Sequence, residues 1–325
     1  MKRETEIGNP RGVARAVVVI RRVAVLPETQ IGVVFAAVAF GLSLYVGAPI
    51  AAPSTEAFAF VGLHYLLPLV TVLAGCLILL RDPAKSARLV YMLGIYAGVL
   101  TLHFNIKLWA PLINNRLFDA EFQALDDAMR PVIDASLHFH AMLAPIIPGL
   151  DHVYLLGFIG MFYASFLYFA VRRRDAFEEV FLGALLFQAL GALAYLPAPA
   201  LGPFVHETGT NAVVTEVQKT MLGVHGSVST EGPTWLAIHA SDHLTAGVAA
   251  MPSLHVGGAV LFFVYALKYS RRLSVTLLPI LAFIAVESVA TRWHYVVDLP
   301  VGIALAFLSV WLVQRLWVSG DVAAR

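Results

Sequence analysis

Eight stretches of apolar residues, each near the length of a bilayer-crossing helix, constrain this chain more than any other feature. A spanning helix needs about 20 mostly apolar residues. The candidates run over 31–47, 58–80, 89–104, 153–171, 180–196, 252–269, 274–290 and 297–317. Of the 325 residues 59% are hydrophobic and 13% charged, whereas a soluble domain carries about 25% charge. A water-facing surface cannot be built from so few charges, so lipid is the natural solvent. The expected fold is an all-α polytopic membrane bundle of about eight transmembrane helices.

Orientation follows from where Lys and Arg fall, because cytoplasmic loops keep positive charge. With the N-terminus inside, one side collects Lys2, Arg3, Arg11, Arg15, Arg21, Arg22, Arg81, Lys85, Arg88, the run Arg172–Arg174, Lys268, Arg271, Arg272, Arg315 and Arg325. The other side keeps only Lys107, Arg116, Arg130, Lys219 and Arg292. Eight spans return the C-terminus to the inside. All eleven histidines then lie at or beyond the outer ends of the helices. The apolar stretch 13–26 is split by Arg15, Arg21 and Arg22, so it reads as an interfacial cytoplasmic segment rather than a signal peptide. The Arg21-Arg22 pair as an export signal is the second reading. The organisation expected is a basic N-terminal segment over 1–30, transmembrane helices and an amphipathic outer segment over 31–150, and a catalytic transmembrane core over 151–325.

Two longer outer connections, 105–151 and 201–250, interrupt the pattern. Within the first, Phe122, Leu125, Met129, Ile133 and Leu137 recur at helical spacing, giving an amphipathic helix over 118–141 that Pro131 bends. It is expected to cap the bundle or to act as a lid or lipid-entry element. The net charge of +1 gives nucleic acid no basic face to bind. The lone Cys76 allows neither an internal disulfide nor a cysteine-based zinc site.

Two short segments carry chemistry. In Ala250-Met251-Pro252-Ser253-Leu254-His255 the serine opens a helix at its outer end. Free N–H groups and the positive dipole end make such a start an anion site. In Arg292-Trp293-His294-Tyr295-Val296-Val297-Asp298 the histidine and aspartate are four apart. On a helix they share a face, so the carboxylate can hold the Nδ1 proton and leave Nε2 as a nucleophile. His294 is the expected nucleophile, His255 the general acid and base, and Asp298 the orienting carboxylate. Ser253 and Arg292 are the expected phosphate ligands. As drawn, this chemistry calls for no metal and no other cofactor. No obligatory protein partner is evident, and lipids in the bilayer are the expected substrates.

These segments resemble the signature motifs of the type 2 phosphatidic acid phosphatase superfamily. The similarity is closest to its inositol-phosphorylceramide-synthase-like branch, related to sphingomyelin synthases, which has Met-Pro-Ser-Leu-His where plain phosphatases have Pro-Ser-Gly-His. Here Met251-Pro252-Ser253-Leu254-His255 matches that form, and the family's second histidine and aspartate fall on His294 and Asp298. The stretch from Tyr195-Leu196-Pro197 to Gly202-Pro203 looks like that branch's proline-rich segment. Tyr195, Gly202, Pro203 and Arg130 are therefore secondary site candidates. The resemblance implies a six-helix-type phosphatase or phosphotransferase core and a phosphohistidine intermediate.

The chain also departs from the wider family. Arg130-Pro131 is present, but Gln123 stands where phosphatases have a lysine, and Val289 stands where their third motif has arginine. His206, His225, His239, Asp242 and His243 are scattered through 201–250, either as surface residues or as ligands for a metal or head group. The function expected is transfer of a phosphate-bearing head group from a phospholipid to a ceramide-like or similar lipid alcohol. A lipid phosphate or polyprenyl diphosphate phosphatase would use the same site. A transporter is the reading from another class, but it would show repeated hydropathy halves and broken spans, which this sequence lacks.

Overall fold

The computed structural model describes residues 26–57, 82–147, 149–209 and 212–318. The expected span over 58–80 therefore lies outside the described residues. What is described is all-helical, without strands. Five helices are long and apolar enough to cross a membrane, which suggests an integral membrane protein. They are α1 (Pro27–Val46), α2 (Pro83–Ile113), α6 (Arg174–Ala194), α10 (Arg271–Ala290) and α11 (Asp298–Val313), the last extended by a π turn over Gln314–Val318. Two further apolar helices are α5 (Leu150–Arg172) and α9 (Leu254–Tyr269). Between these lie α3 (Asp119–Ala128), α4 (Arg130–Leu143), α7 (Ala212–Glu231) and α8 (Pro233–His239).

Local chemistry sets the helix starts. Pro27 and Pro83 occupy first turns, where a missing N–H costs nothing. Asp82 accepts from the N–H groups of Ala84 and Lys85. Ser253 and Ser270 cap α9 and α10 by accepting from Val256 and Leu273.

Helix α9 lies at the centre and packs against α5, α6, α10 and α11. Helix α6 also meets α1 and α2, so one continuous apolar core spans the bundle from Phe35 through Trp109 and Phe181 to Phe262. The outward faces are as apolar as the inner ones. Helix α1 exposes Val34, Phe40, Leu44 and Tyr45, and α11 exposes Phe307, Leu308 and Trp311. A helix apolar all round belongs in lipid unless it is wholly buried.

Several expectations are corrected. Five helices meet the length and apolarity of a span among the described residues, and the expected span over 58–80 lies outside them. Helix α9 has only 16 residues, because Pro252 and Ser253 stay outside it, and it falls short of the length a bilayer asks for. The span expected over 89–104 is instead part of the 31-residue α2, which runs through the polar Asn105 and Lys107. The connection 201–250 is largely helical, carrying α7 and α8. The amphipathic segment is two helices broken at Met129, and Pro131 sits in the first turn of the second instead of bending one rod. Of the expected apolar stripe, Ile133 is buried and Phe122 packs on Tyr295, but the first helix also buries acids. Asp119 and Asp126 are buried, while Leu125 and Met129 are 48% and 40% exposed.

The tightest approach in the bundle joins the starts of α9 and α11. A Cβ on Gly302 would lie 2.1 Å from the Ser253 carbonyl oxygen, and one on Gly257 would lie 2.5 Å from that of Gly302. Only glycine admits this contact, and it lets the Ser253 N–H donate to the Asp298 carbonyl at 3.1 Å. Gly302→Ala is therefore expected to cost about 1–3 kcal/mol by overpacking. Gly223→Ala, whose Cβ would face open space on α7, should be neutral or stabilising by up to about 1 kcal/mol. Thermal unfolding of both variants in detergent checks the pair.

Candidate active site

The coupled helix starts bring His255, His294 and Asp298 together. His294 lies in the turn between α10 and α11, and its backbone N–H donates to the Ser288 carbonyl. Its Nδ1 lies 2.8 Å from the Ala250 carbonyl oxygen and 3.3 Å from Asp298 Oδ2. Both neighbours are acceptors, so the proton belongs on Nδ1 and Nε2 keeps its lone pair. That Nε2 faces His255 Nδ1 at 3.4 Å. Asp298 is fully buried in the first turn of α11, and its Oδ2 also accepts from the Tyr295 N–H at 2.9 Å. The Ala250 carbonyl, which makes the shorter contact to His294, is a partner that side-chain reasoning does not reveal.

His294 and Asp298 are buried, and His255 is half-buried. His294 is 4% exposed and Asp298 0%. Burial pushes the His294 imidazole down to about 3, an effect reinforced by the Lys107 ammonium and opposed by the Ala250 carbonyl. The ring therefore stays neutral, as a nucleophile must, across ordinary pH. His255 is walled by the ring edges of Tyr154 and Phe158, with centroids 5.4 and 4.8 Å away. Ser253 is buried with its Oγ capping α9, which leaves its O–H as a donor.

The cations are arranged differently from the sequence expectation. Arg292 has a left-handed backbone at φ 57° and is fully buried. Its Nη2 lies 3.3 Å from Asp126 Oδ2 and 3.5 Å from Glu207 Oε2, while Nε and Nη1 have no partner among the described residues. Arg130 forks onto Glu207 at 2.9 and 3.0 Å and reaches Asp134 as well. The two arginines thus form a network with carboxylates. Lys107 makes no hydrogen bond or ion pair among the described residues. Its Nζ sits 5.5 Å from the centroid of the Tyr195 ring, whose face also meets His103. A Cβ on Gly247 would lie 3.3 Å from the Lys107 carbonyl carbon, so the strand of chain leading to Ala250 rests on the Lys107 backbone.

Two acids brace the site, and neither was singled out from sequence. Asp119 accepts from the N–H groups of Leu201 and Gly202 and from the Tyr295 hydroxyl. Asp126 accepts from the Val296 N–H at 2.8 Å besides pairing with Arg292. The signal was their spacing of seven, which places both on one face of α3. Gly202 takes φ 128°, and a Cβ there would lie 2.8 Å from the Trp293 carbonyl oxygen. Pro203 starts a single tight turn over Pro203–Val205 beside it. The remaining histidines do not gather with them. His239 and His243 pack on Trp235, and no group of three metal-ligating side chains occurs among the described residues. Leu254 points away from the site into a notch on α6, where a Cβ on Gly191 would meet its Cδ1 at 2.7 Å. Its side chain serves helix packing.

Removing Asp126 should strip an acceptor from a buried arginine and loosen the His294 turn together. Asp126→Ala is expected to cost roughly 3–5 kcal/mol, as breaking buried pairs does. Asp127→Ala, at the exposed neighbouring position, should stay within about 0.5 kcal/mol. Thermal unfolding in detergent reads both.

Comparison with known families agrees with the geometry. A model described as the PAP2 superfamily matches residues 120–312, more than half of the chain, and the match takes in α3, His255, His294 and Asp298 but leaves out Lys107. No curated protein and no solved structure matches. The chain belongs to the PAP2 superfamily.

Proposed function

We propose that this protein is an integral-membrane lipid phosphotransferase that moves a phosphate-bearing head group from a phospholipid to a lipid alcohol through a phosphohistidine. The observation that carries the reading is the free Nε2 of His294, which is buried away from water and aimed at His255. Superfamily membership supports a phosphatase or phosphotransferase acting on lipids. Exclusion of water favours an alcohol over water as the final acceptor.

His294 Nε2 attacks phosphorus and forms the P–N bond as the P–O bond to the leaving lipid alcohol breaks. His255 gives its proton to the departing oxygen. It then takes the proton of the incoming alcohol, whose oxygen attacks phosphorus and releases His294. In-line displacement sets the attacking and leaving atoms on opposite sides of phosphorus, so the 3.4 Å separation of the two imidazoles widens to admit the phosphoryl group. Asp298 and the Ala250 carbonyl hold the Nδ1 proton and steady the charge that develops on His294. The N–H groups opening α9, the Ser253 hydroxyl and Lys107 face the phosphate oxygens. Arg292 already has its charge met by Asp126 and Glu207, so in this reading it chiefly holds the turn, and Lys107 supplies the cation. The positive-charge distribution supports cytoplasmic termini and an extracytoplasmic site. The catalytic unit extends beyond 151–325 to take in α3 and Lys107 of α2.

Purified enzyme given labelled phospholipids, with and without a ceramide acceptor, tests the assignment. Donor turnover should rise several-fold with the acceptor, and label should appear on it. Asp298→Asn should keep only weak turnover, since the imidazole remains but is mis-set. Release of inorganic phosphate from a lipid phosphate at full rate without any acceptor would make the protein a phosphatase.

A further inference from the structure

A second set of buried polar side chains lies near His255, on α4, α5 and α10. Glu287, in the apolar helix α10, is fully buried, and its Oε2 lies 2.7 Å from His140 Nδ1 of α4. A carboxylate within a membrane helix is costly and marks a functional site by default. Tyr154 of α5 is 3% exposed, and its hydroxyl has no hydrogen-bond partner among the described residues. An orphaned buried hydroxyl is unusual, because leaving it unpaired costs about 1–3 kcal/mol. The helices that carry Tyr154 and Glu287 pack together, with Gly157 of α5 lying against Ile280 of α10. The Tyr154 ring in turn lies against His255.

Directly along the same two helices runs an apolar groove of about 350 Å³, lined by Gly157 and Gly160 of α5 and by Ile280 and Phe283 of α10. Gly157 is three residues beyond Tyr154, and Phe283 is four before Glu287, so the groove ends at the polar cluster. A Cβ on Gly160 would meet nothing within 4 Å, which leaves the groove wide enough for a hydrocarbon chain. A polar head beside His255 with a chain trailing between membrane helices is the shape of a lipid alcohol.

We propose that Tyr154 and the Glu287–His140 pair form the acceptor subsite, binding a lipid alcohol that carries a second hydrogen-bond donor beside its reacting hydroxyl. This rests on the phosphotransferase reading for its role but not for its existence. A carboxylate accepts hydrogen bonds and gives none when ionised. It therefore selects a ligand with an extra hydroxyl or amide N–H, and it finds nothing to bind on the ester groups of a departing diacylglycerol. The cluster thereby separates the incoming alcohol from the outgoing one, although both pass His255. The groove holds the acceptor's chain.

Equilibrium binding of tritiated vicinal hexadecanediol to the full-length protein in detergent, competed with hexadecanol, tests the subsite without any turnover. The wild type should hold the diol about tenfold more tightly, the worth of one extra hydrogen bond. Tyr154→Phe and Glu287→Gln should each erase most of that preference. Gly160→Leu should weaken both ligands alike by filling the groove. Melting curves confirm that each variant is folded, and Tyr154→Phe, which removes one oxygen, serves if Glu287→Gln is unstable. Equal affinities in the wild type, or a preference that survives in Tyr154→Phe, would overturn the subsite. A diol preference in a protein that forms no phosphoenzyme would keep the subsite and sink the phosphotransfer reading instead.

Discussion

The structure turns on the backbone contact between Ser253 and Gly302. It holds the amino ends of α9 and α11 so closely that a single methyl group would force them apart. Two helix starts side by side sum their partial positive charges and their unpaired N–H groups at one place. His255 comes from the first turn of one helix and His294 from the turn before the other, so the same contact sets the distance between the imidazoles. The Ser253–Asp298 backbone hydrogen bond ties the capping serine to the orienting aspartate. Any slippage of α9 along α11 would part all four side chains together.

Charge is distributed around this contact by burial. In a poorly solvated site an ion interacts strongly with its neighbours and tolerates no isolation. Arg292 is consequently matched by Asp126 and Glu207, and those acids are themselves held by the Val296 N–H and by Arg130. The helix that carries Asp119 and Asp126 turns its acids toward the site and its Leu125 and Met129 outward. It works as a brace whose hydrogen bonds fix the His294 turn and the Leu201–Gly202 bend. Lys107, without an acid of its own, is the cation available to an incoming anion.

The meeting of His255, His294 and Asp298 was legible in the sequence because its logic is local. Four-residue spacing places Asp298 near His294, and Pro252-Ser253 marks a helix start on which His255 must ride. The membrane character was legible for a similar reason, since twenty apolar residues need no tertiary context. Long-range partners were not legible. Nothing in the neighbourhood of Asp126 announces Arg292, which lies 166 residues away. The apolar spacing held for Phe122 and Ile133 but misled at Leu125 and Met129, because α3 turns Asp119 and Asp126 inward and leaves those two side chains exposed. Leu254 follows the same rule: it stands beside His255 in sequence, yet helical geometry sends it to Gly191 on α6. Lys107 was read only as one of the few outer basic residues, because α2 runs on to Ile113, past the expected end at 104.

The central claim is that His294 carries the phosphoryl group. Denaturing the protein in alkali during turnover of a labelled phospholipid, then mapping the label by mass spectrometry, examines that claim directly. The account predicts an acid-labile, alkali-stable phosphoramidate on the His294 imidazole in the peptide spanning 293–298. Label on a serine hydroxyl or on His255, or turnover at full rate by folded His294→Ala, would contradict it.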